Sequence, residues 1–263
     1  MSAAPANPIT PAIEMRGVAV NSMKDPGITV AEKVDWSVAP GEFWVVAGPQ
    51  RSGKSDFLML TGGLMAPADG VYRLFGEDMP IFQDARLRER LRLGYVFDGG
   101  QLFNHMTIAE NVAVPLRYHQ NLTGAEAEPR VQAMLELTEL TPWANSTPGN
   151  VARNWQKRAG LARALALRPD VLLLDNPLGG LDARHTNWWL NFLDQLSCGH
   201  GSLGGDPMTV VVTADDLRPW KSGSRRFALL KDKRFAALGA WPDLERATDP
   251  AVRELLAHEP AGD

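Results

Sequence analysis

The stretch Gly48-Pro49-Gln50-Arg51-Ser52-Gly53-Lys54-Ser55, GPQRSGKS, decides the fold. It closes the strand-like run GEFWVVAG (41 to 48) and opens a helical pattern that continues from Lys54 to about Leu64. Between a strand and a helix, the spacing G-x-x-x-x-G-K-S has a physical meaning. Backbone N–H groups wrap a polyphosphate and the helix N-terminus adds partial positive charge. The Lys54 ammonium reaches the terminal phosphates, and the Ser55 hydroxyl holds Mg²⁺. The bland alternative is a glycine turn carrying a surface lysine.

A second stretch supports the first. In VLLLDNPLGGLD (171 to 182) an apolar strand delivers Asp175 to its end. There a carboxylate can reach the same Mg²⁺ through water, whereas on its own it would read as a turn or helix cap. The next residue, Asn176, is an amide that cannot take a proton from water.

Working outward, strand-like runs GVYRLFG (70 to 76), LGYVF (93 to 97) and MTVVVTA (208 to 214) alternate with helical patterns at 83 to 91 and in HTNWWLNFLDQL (185 to 196). VLLLD and TVVVTA, apolar throughout, predict neighbouring central strands of a mainly parallel sheet. From about Met106 to Thr147 no strand candidate occurs, and two helical patterns predict an inserted helical part. WQKRAGLARALAL is a further helix, RRFALLKDKRFAALG (225 to 239) a hairpin, CGHGSLGGDP (198 to 207) a loop, and PAVRELLAH a terminal helix.

The 263 residues, with 44% hydrophobic and 22% charged content, suffice for one large α/β domain or two small ones, with a core of their own. A net charge of −4 gives no basic surface for nucleic acid. The single Cys198 rules out an internal disulfide framework. With no signal-like segment and no apolar run of the roughly 20 residues that cross a bilayer, the expectation is a cytoplasmic chain that reaches a membrane through a partner.

Taken in order, GPQRSGKS, YVFDGGQLFNHMTIAENVAVPL, RNWQKRAGLARALALRPDVLLLDNPLGGLD and VVVTADDL resemble the nucleotide-binding subunits of ABC transporters. Within that family, YVFDGGQLFNHMTIAENVAVPLRYH and ALLKDKRFAALGAWPDLERATDPAVRELL look most like the ATPase of the Mla/Mce lipid-transport systems. The resemblance implies an α/β P-loop NTPase of the ABC type. Its parts would be a mainly parallel central sheet, an N-terminal antiparallel β part and an inserted helical subdomain at about 106 to 165. The cassette would span 12 to 257, between a flexible segment at 1 to 11 and a flexible tail at 258 to 263. ATP and Mg²⁺ are the implied ligands, held by Gly48, Pro49, Gln50, Arg51, Ser52, Gly53, Lys54, Ser55 and Asp56, with Ser55 and Asp175 on the metal.

The catalytic positions of the family pattern are replaced. The glutamate that polarises water is Asn176, and general-base assistance is worth about 10² to 10⁴ in rate. The histidine that contacts the γ-phosphate is Ala214, a loss worth about 10² to 10³. The loop glutamine after YVF is Asp98, which adds negative charge beside a polyphosphate. The signature LSGGQ lines up with Val151-Ala152-Arg153-Asn154-Trp155, where a serine and two close-approaching glycines are gone. Arg51 replaces a phosphate-loop glycine, Asp56 sets a carboxylate near the α-phosphate, and Val20 stands for the ring that stacks on adenine.

These losses predict a subunit that binds ATP and Mg²⁺ weakly and does not split ATP. It would be the non-catalytic half of a heterodimer with a second ABC ATPase, beneath an integral-membrane permease on the inner face of the cell membrane. A homodimer, an active ATPase in which Arg153 or Asp98 has taken over lost roles, and a soluble nucleotide-dependent regulator are the alternatives. Asp182 fits the D-loop that meets the opposite subunit, or an ordinary helix cap. The surface around LFNHMTIAENV matches the region that receives a permease helix, and Trp188 and Trp189 fit either a partner surface or a buried helix face.

Overall fold

A computed structural model describes residues 10 to 79 and 86 to 257. The flexible segments expected at the two ends, and the first residues of the helix expected at 83 to 91, fall largely or wholly outside that range.

Two sheets form the body. The first is antiparallel, in the order β2-β1-β4-β5, from β1 (Ile13–Asn21), β2 (Thr29–Val38), β4 (Asp69–Leu74) and β5 (Glu77–Asp78). The second has the order β10-β9-β3-β8-β7-β6, from β3 (Phe43–Ala47), β6 (Leu93–Val96), β7 (Val171–Leu174), β8 (Thr209–Ala214), β9 (Arg225–Lys231) and β10 (Arg234–Gly239). All its pairings are parallel except the terminal hairpin of β9 with β10. VLLL and TVVVTA are neighbours, as their apolar runs predict.

Every residue of β3, β7 and β8 is buried because both faces of the sheet are covered. Alternation decides which residue serves which side. Phe43, Val45, Ala47, Leu172 and Leu174 join the larger core beneath the helical part, whereas Trp44, Val46, Val171 and Leu173 join the core shared with the antiparallel sheet.

The helices are α1 (Lys54–Thr61), α2 (Leu87–Arg90), α3 (Ile108–His119), α4 (Gly124–Leu137), α5 (Arg153–Leu165), α6 (Ala183–Cys198), α7 (Trp241–Arg246) and α8 (Pro250–Ala257). No strand lies between 106 and 147. Instead α3 and α4 each begin on a reciprocal capping box, Thr107 with Glu110 and Thr123 with Glu126. The expected helix at 83 to 91 is reduced, in its described part, to the single turn α2, which buries no residue and so gains nothing from packing. The loop at 198 to 207 starts with the last residue of α6 and holds one 3₁₀ turn at Gly201–Leu203.

Candidate functional site

The parallel register brings three strand ends to one edge. Ala47 lies opposite Ala214, and Leu174 opposite Val212. The phosphate loop, Asp175-Asn176 and Ala214-Asp215 therefore leave the sheet side by side, at the carboxyl ends of its strands where ligands of such sheets bind. Residues 50 to 56 of the loop, Asp175, Asn176 and Asp215 line a cleft of about 580 Å³ with Ser22, Met23, Lys24, Ile28, Val30, Met59 and Asp98.

The loop has the shape a polyphosphate needs. A side chain at Gly48 would strike the Leu230 carbonyl at 2.2 Å, and one at Gly53 would strike Val30 at 2.5 Å. Arg51, in the family's glycine place, holds φ at +63°, a left-handed backbone that disfavours a side chain. The Ser52 hydroxyl is buried and has no partner, the kind of orphan that a phosphate oxygen would satisfy. Ser55 stands in the first turn of α1, and one Asp175 oxygen accepts from Thr213 Oγ1 at 2.7 Å, leaving the other for hydrated Mg²⁺. These residues fit Mg²⁺ with a nucleotide.

Lys54 is buried at the centre. Its ammonium donates to the carbonyls of Gly48 (2.7 Å) and Pro49 (2.8 Å) and pairs with Asp215 at 2.9 Å. Asp215 in turn accepts from the Asn176 carboxamide at 3.2 Å. The Asn176 N–H donates to Thr213 Oγ1 at 2.9 Å, and its φ is +44°, which asparagine tolerates better than most residues. Asn176 is thus a donor that holds the partner of the phosphate-loop lysine.

A second network lies behind it. The buried Lys157 of α5 donates to the Asn176 carbonyl (2.9 Å) and the Gly179 carbonyl (2.8 Å), and pairs with Asp98 at 3.0 Å. Arg153 adds a contact to Asp98 at 3.3 Å. Burial pulls the Lys157 ammonium below the usual lysine range, and Asp98 partly restores it. Asp98 thus lines the cleft as expected, with its charge balanced by two cations that the sequence reading did not assign to it. Asp56 lines the cleft as well, and its carboxylate accepts the Met23 N–H at 3.0 Å, which pins the 22 to 28 loop to α1. Val20 is fully enclosed in the core, so no stacking surface is available there.

In the signature stretch Val151 is buried, and Ala152 caps α5 without offering a side-chain acceptor. Arg153 leaves 70% of its side chain in solvent. The Asn154 amide contacts His185 Nε2. Trp155 packs edge-on against His185 and near the buried Arg158, which pairs with Glu139 at 2.7 Å. Asp182 caps α6 by accepting the His185 N–H at 2.9 Å, a bond that holds its carboxyl below the usual range. Trp189 is fully buried, as the buried-face reading expects, whereas Trp188 is half-buried and stacks on Phe192 beneath the Arg158 guanidinium.

Sequence reasoning missed Thr213, Asp215, Lys157 and the Met23–Ile28 wall. Asp215 was visible in VVVTADD as a second acid beyond the strand end, and Lys157 as a cation on the buried side of an Ala- and Leu-rich helix.

Comparison with known proteins bears on this geometry. Residues 31 to 179 match the family model described as ABC transporter. The chain is 32% identical over 228 residues to the intermembrane phospholipid transport system ATP-binding protein MlaF of Escherichia coli K12, covering 86% of this chain and 82% of that protein. It is 33% identical over 234 residues to the spermidine/putrescine import ATP-binding protein PotA of Trichodesmium erythraeum, covering 88% of this chain and 58% of that protein. The ATP-binding cassette MJ0796, solved as a dimer in a post-hydrolysis state bound to ADP and Pi, superimposes with a TM-score of 0.73. That match has 29% identity and covers 84% of this chain and 95% of that one.

Proposed function

The chain belongs to the ABC transporter family as an ATP-binding subunit, and from that premise we propose that it holds ATP and Mg²⁺ without hydrolysing them. It serves as the non-catalytic half of a heterodimer in a lipid-transport complex. The observation that carries this reading is the placement of Asn176. Where water would need a proton acceptor, the side chain is an amide whose N–H₂ is committed to Asp215. Ala214 brings only a methyl group to the next strand end, and Arg153, Asn154 and Trp155 fill the place where a partner's nucleotide would need close backbone approach. The ion pairs of Asp98 with Lys157 and Arg153 speak against an active ATPase in which that carboxylate is the base.

The phosphate-loop residues 48 to 56 would hold the nucleotide, with Ser55 and Asp175 on the cation. When bound, Mg²⁺ would neutralise the phosphates, and the Lys54 ammonium would exchange Asp215 for phosphate oxygens. The cassette occupies 12 to 257, with the helical part at about 106 to 165 as its arm toward the membrane. An open groove of about 460 Å³ along α3, lined by Met106, Glu110, Val114, Arg117, Tyr118 and Leu122, supports a permease contact there. No described helix is long and apolar enough to cross a membrane, and a peripheral place on the inner face follows from the permease contact. The lipid cargo rests on the similarity to MlaF.

The test is equilibrium binding and single-turnover hydrolysis of Mg-ATP by the purified chain, beside Lys54→Ala. Binding that Lys54→Ala removes, with no phosphate release, is expected. Turnover that disappears in Lys54→Ala would overturn the non-hydrolysing reading.

A further inference from the structure

We infer that the nucleotide cleft recognises the polyphosphate with its cation and is nearly indifferent to the base, so that ATP, GTP and inorganic tripolyphosphate form one ligand class for it. The inference rests on the nucleotide-binding reading above and concerns the end of the cleft formed by the 22 to 30 segment.

That end is a wall of Ser22, Met23, Lys24, Ile28 and Val30, with Met59 from α1. No aromatic side chain lines the cleft among the described residues. What it presents is a thioether and an alkyl chain, since Met23 is 54% and Ile28 52% exposed. Such groups touch the flat face of any base equally well. Stacking on an aromatic ring is worth about one to two powers of ten in affinity per base, and this wall forgoes it.

Nor is a ring poised to swing in. Trp36 is buried in a cluster with Trp44, Phe57 and Phe235, and Val20 is enclosed. The 22 to 28 loop is tied at three points: Ser22 N–H to the Ile28 carbonyl (2.7 Å), the Asn21 amide to the Pro26 carbonyl (2.8 Å), and Met23 N–H to Asp56 (3.0 Å).

Reading a base edge needs donors and acceptors held in fixed positions, because discrimination comes from stranding a buried polar group by the wrong ligand. The wall has only two polar side chains, Ser22 and Lys24. The Ser22 hydroxyl already accepts the Lys24 N–H at 3.3 Å. The Lys24 ammonium is a donor on a flexible stem, and the N7 acceptor that it could meet is common to adenine and guanine. The phosphate end, by contrast, is built in detail, with the buried Lys54, the orphan Ser52 hydroxyl and the Asp175 carboxylate. Affinity is therefore concentrated there.

The experiment is calorimetric titration of the full chain, in excess Mg²⁺, with ATP, GTP and sodium tripolyphosphate, repeated on Met23→Tyr and Ile28→Tyr. Expected are ATP and GTP constants within about threefold and tripolyphosphate within about tenfold. At least one tyrosine variant should tighten both nucleotides by about tenfold relative to tripolyphosphate. ATP preferred over GTP by more than about thirtyfold, or tripolyphosphate weaker by more than about a hundredfold, overturns base indifference while leaving nucleotide binding intact. Folded tyrosine variants that tighten neither nucleotide place the base elsewhere and overturn the assignment of the wall. Binding of none of the three ligands overturns the nucleotide-binding reading itself, and this inference with it.

Discussion

At position 176 one carboxamide meets two demands that a carboxylate could not combine: a left-handed backbone at φ +44° and a donor toward Asp215. A glutamate there would lose the bond to Asp215 and would face both that carboxylate and the phosphates of a bound nucleotide with a like charge. Asn176→Glu is therefore expected to create no measurable turnover in single-turnover assays and to weaken Mg-ATP binding by about tenfold, a like-charge cost of about 1.4 kcal/mol. Turnover restored by this one change would refute the coupling. Lys54, Ser55 and Asp175 were legible in the sequence because local spacing fixes their geometry. Asp215 and Lys157 were visible as charges, but their partners were not, because those arise where separate strands and helices meet.

The elements obey rules that the sequence states openly in some places and conceals in others. TIAE and TGAE spell out the starts of α3 and α4, with Glu110 and Glu126 closing onto Thr107 and Thr123. Thr123→Ala is expected to cost about 1 kcal/mol in denaturant unfolding. The bonds to threonine lower the folded-state pKa of both glutamates below the unfolded 4.5. Their stabilisation is thus present above about pH 4.5 and lost as pH falls through the lower folded values. Melting curves from pH 6 to 3 should show that loss, with a shallower slope in Glu110→Gln/Glu126→Gln. The contact of α5 with the loop after β6 was concealed. Gly100, at φ +82°, lies where a methyl group would sit 2.3 Å from the Gln156 carbonyl, and Gly160 packs against it from α5. Gly100→Ala is expected to destabilise by about 2 to 3 kcal/mol, read as a lower unfolding midpoint. Composition shows a glycine pair in DGG without showing which backbone approaches it.

The whole molecule is an ABC cassette whose sheets, helical arm and phosphate cleft follow from motif order. The heterodimer proposed above would pair through the surface that holds the signature stretch. With Arg153 extended into solvent and Trp155 packed at the start of α5, the purified chain is expected to stay monomeric with Mg-ATP in sedimentation and to form a one-to-one pair when co-expressed with a second ATPase of its complex. An ATP-induced homodimer that turns over substrate would contradict this. The buried Lys157 ammonium, clasping two carbonyls and Asp98, also constrains which residues position 98 can hold. Changing Asp98 alone to the family's glutamine strands that charge, at a cost of about 1 to 2 kcal/mol once the partial exposure of Asp98 is allowed for. The two positions are therefore coupled: a neutral residue at 98 becomes inexpensive when 157 is made neutral with it.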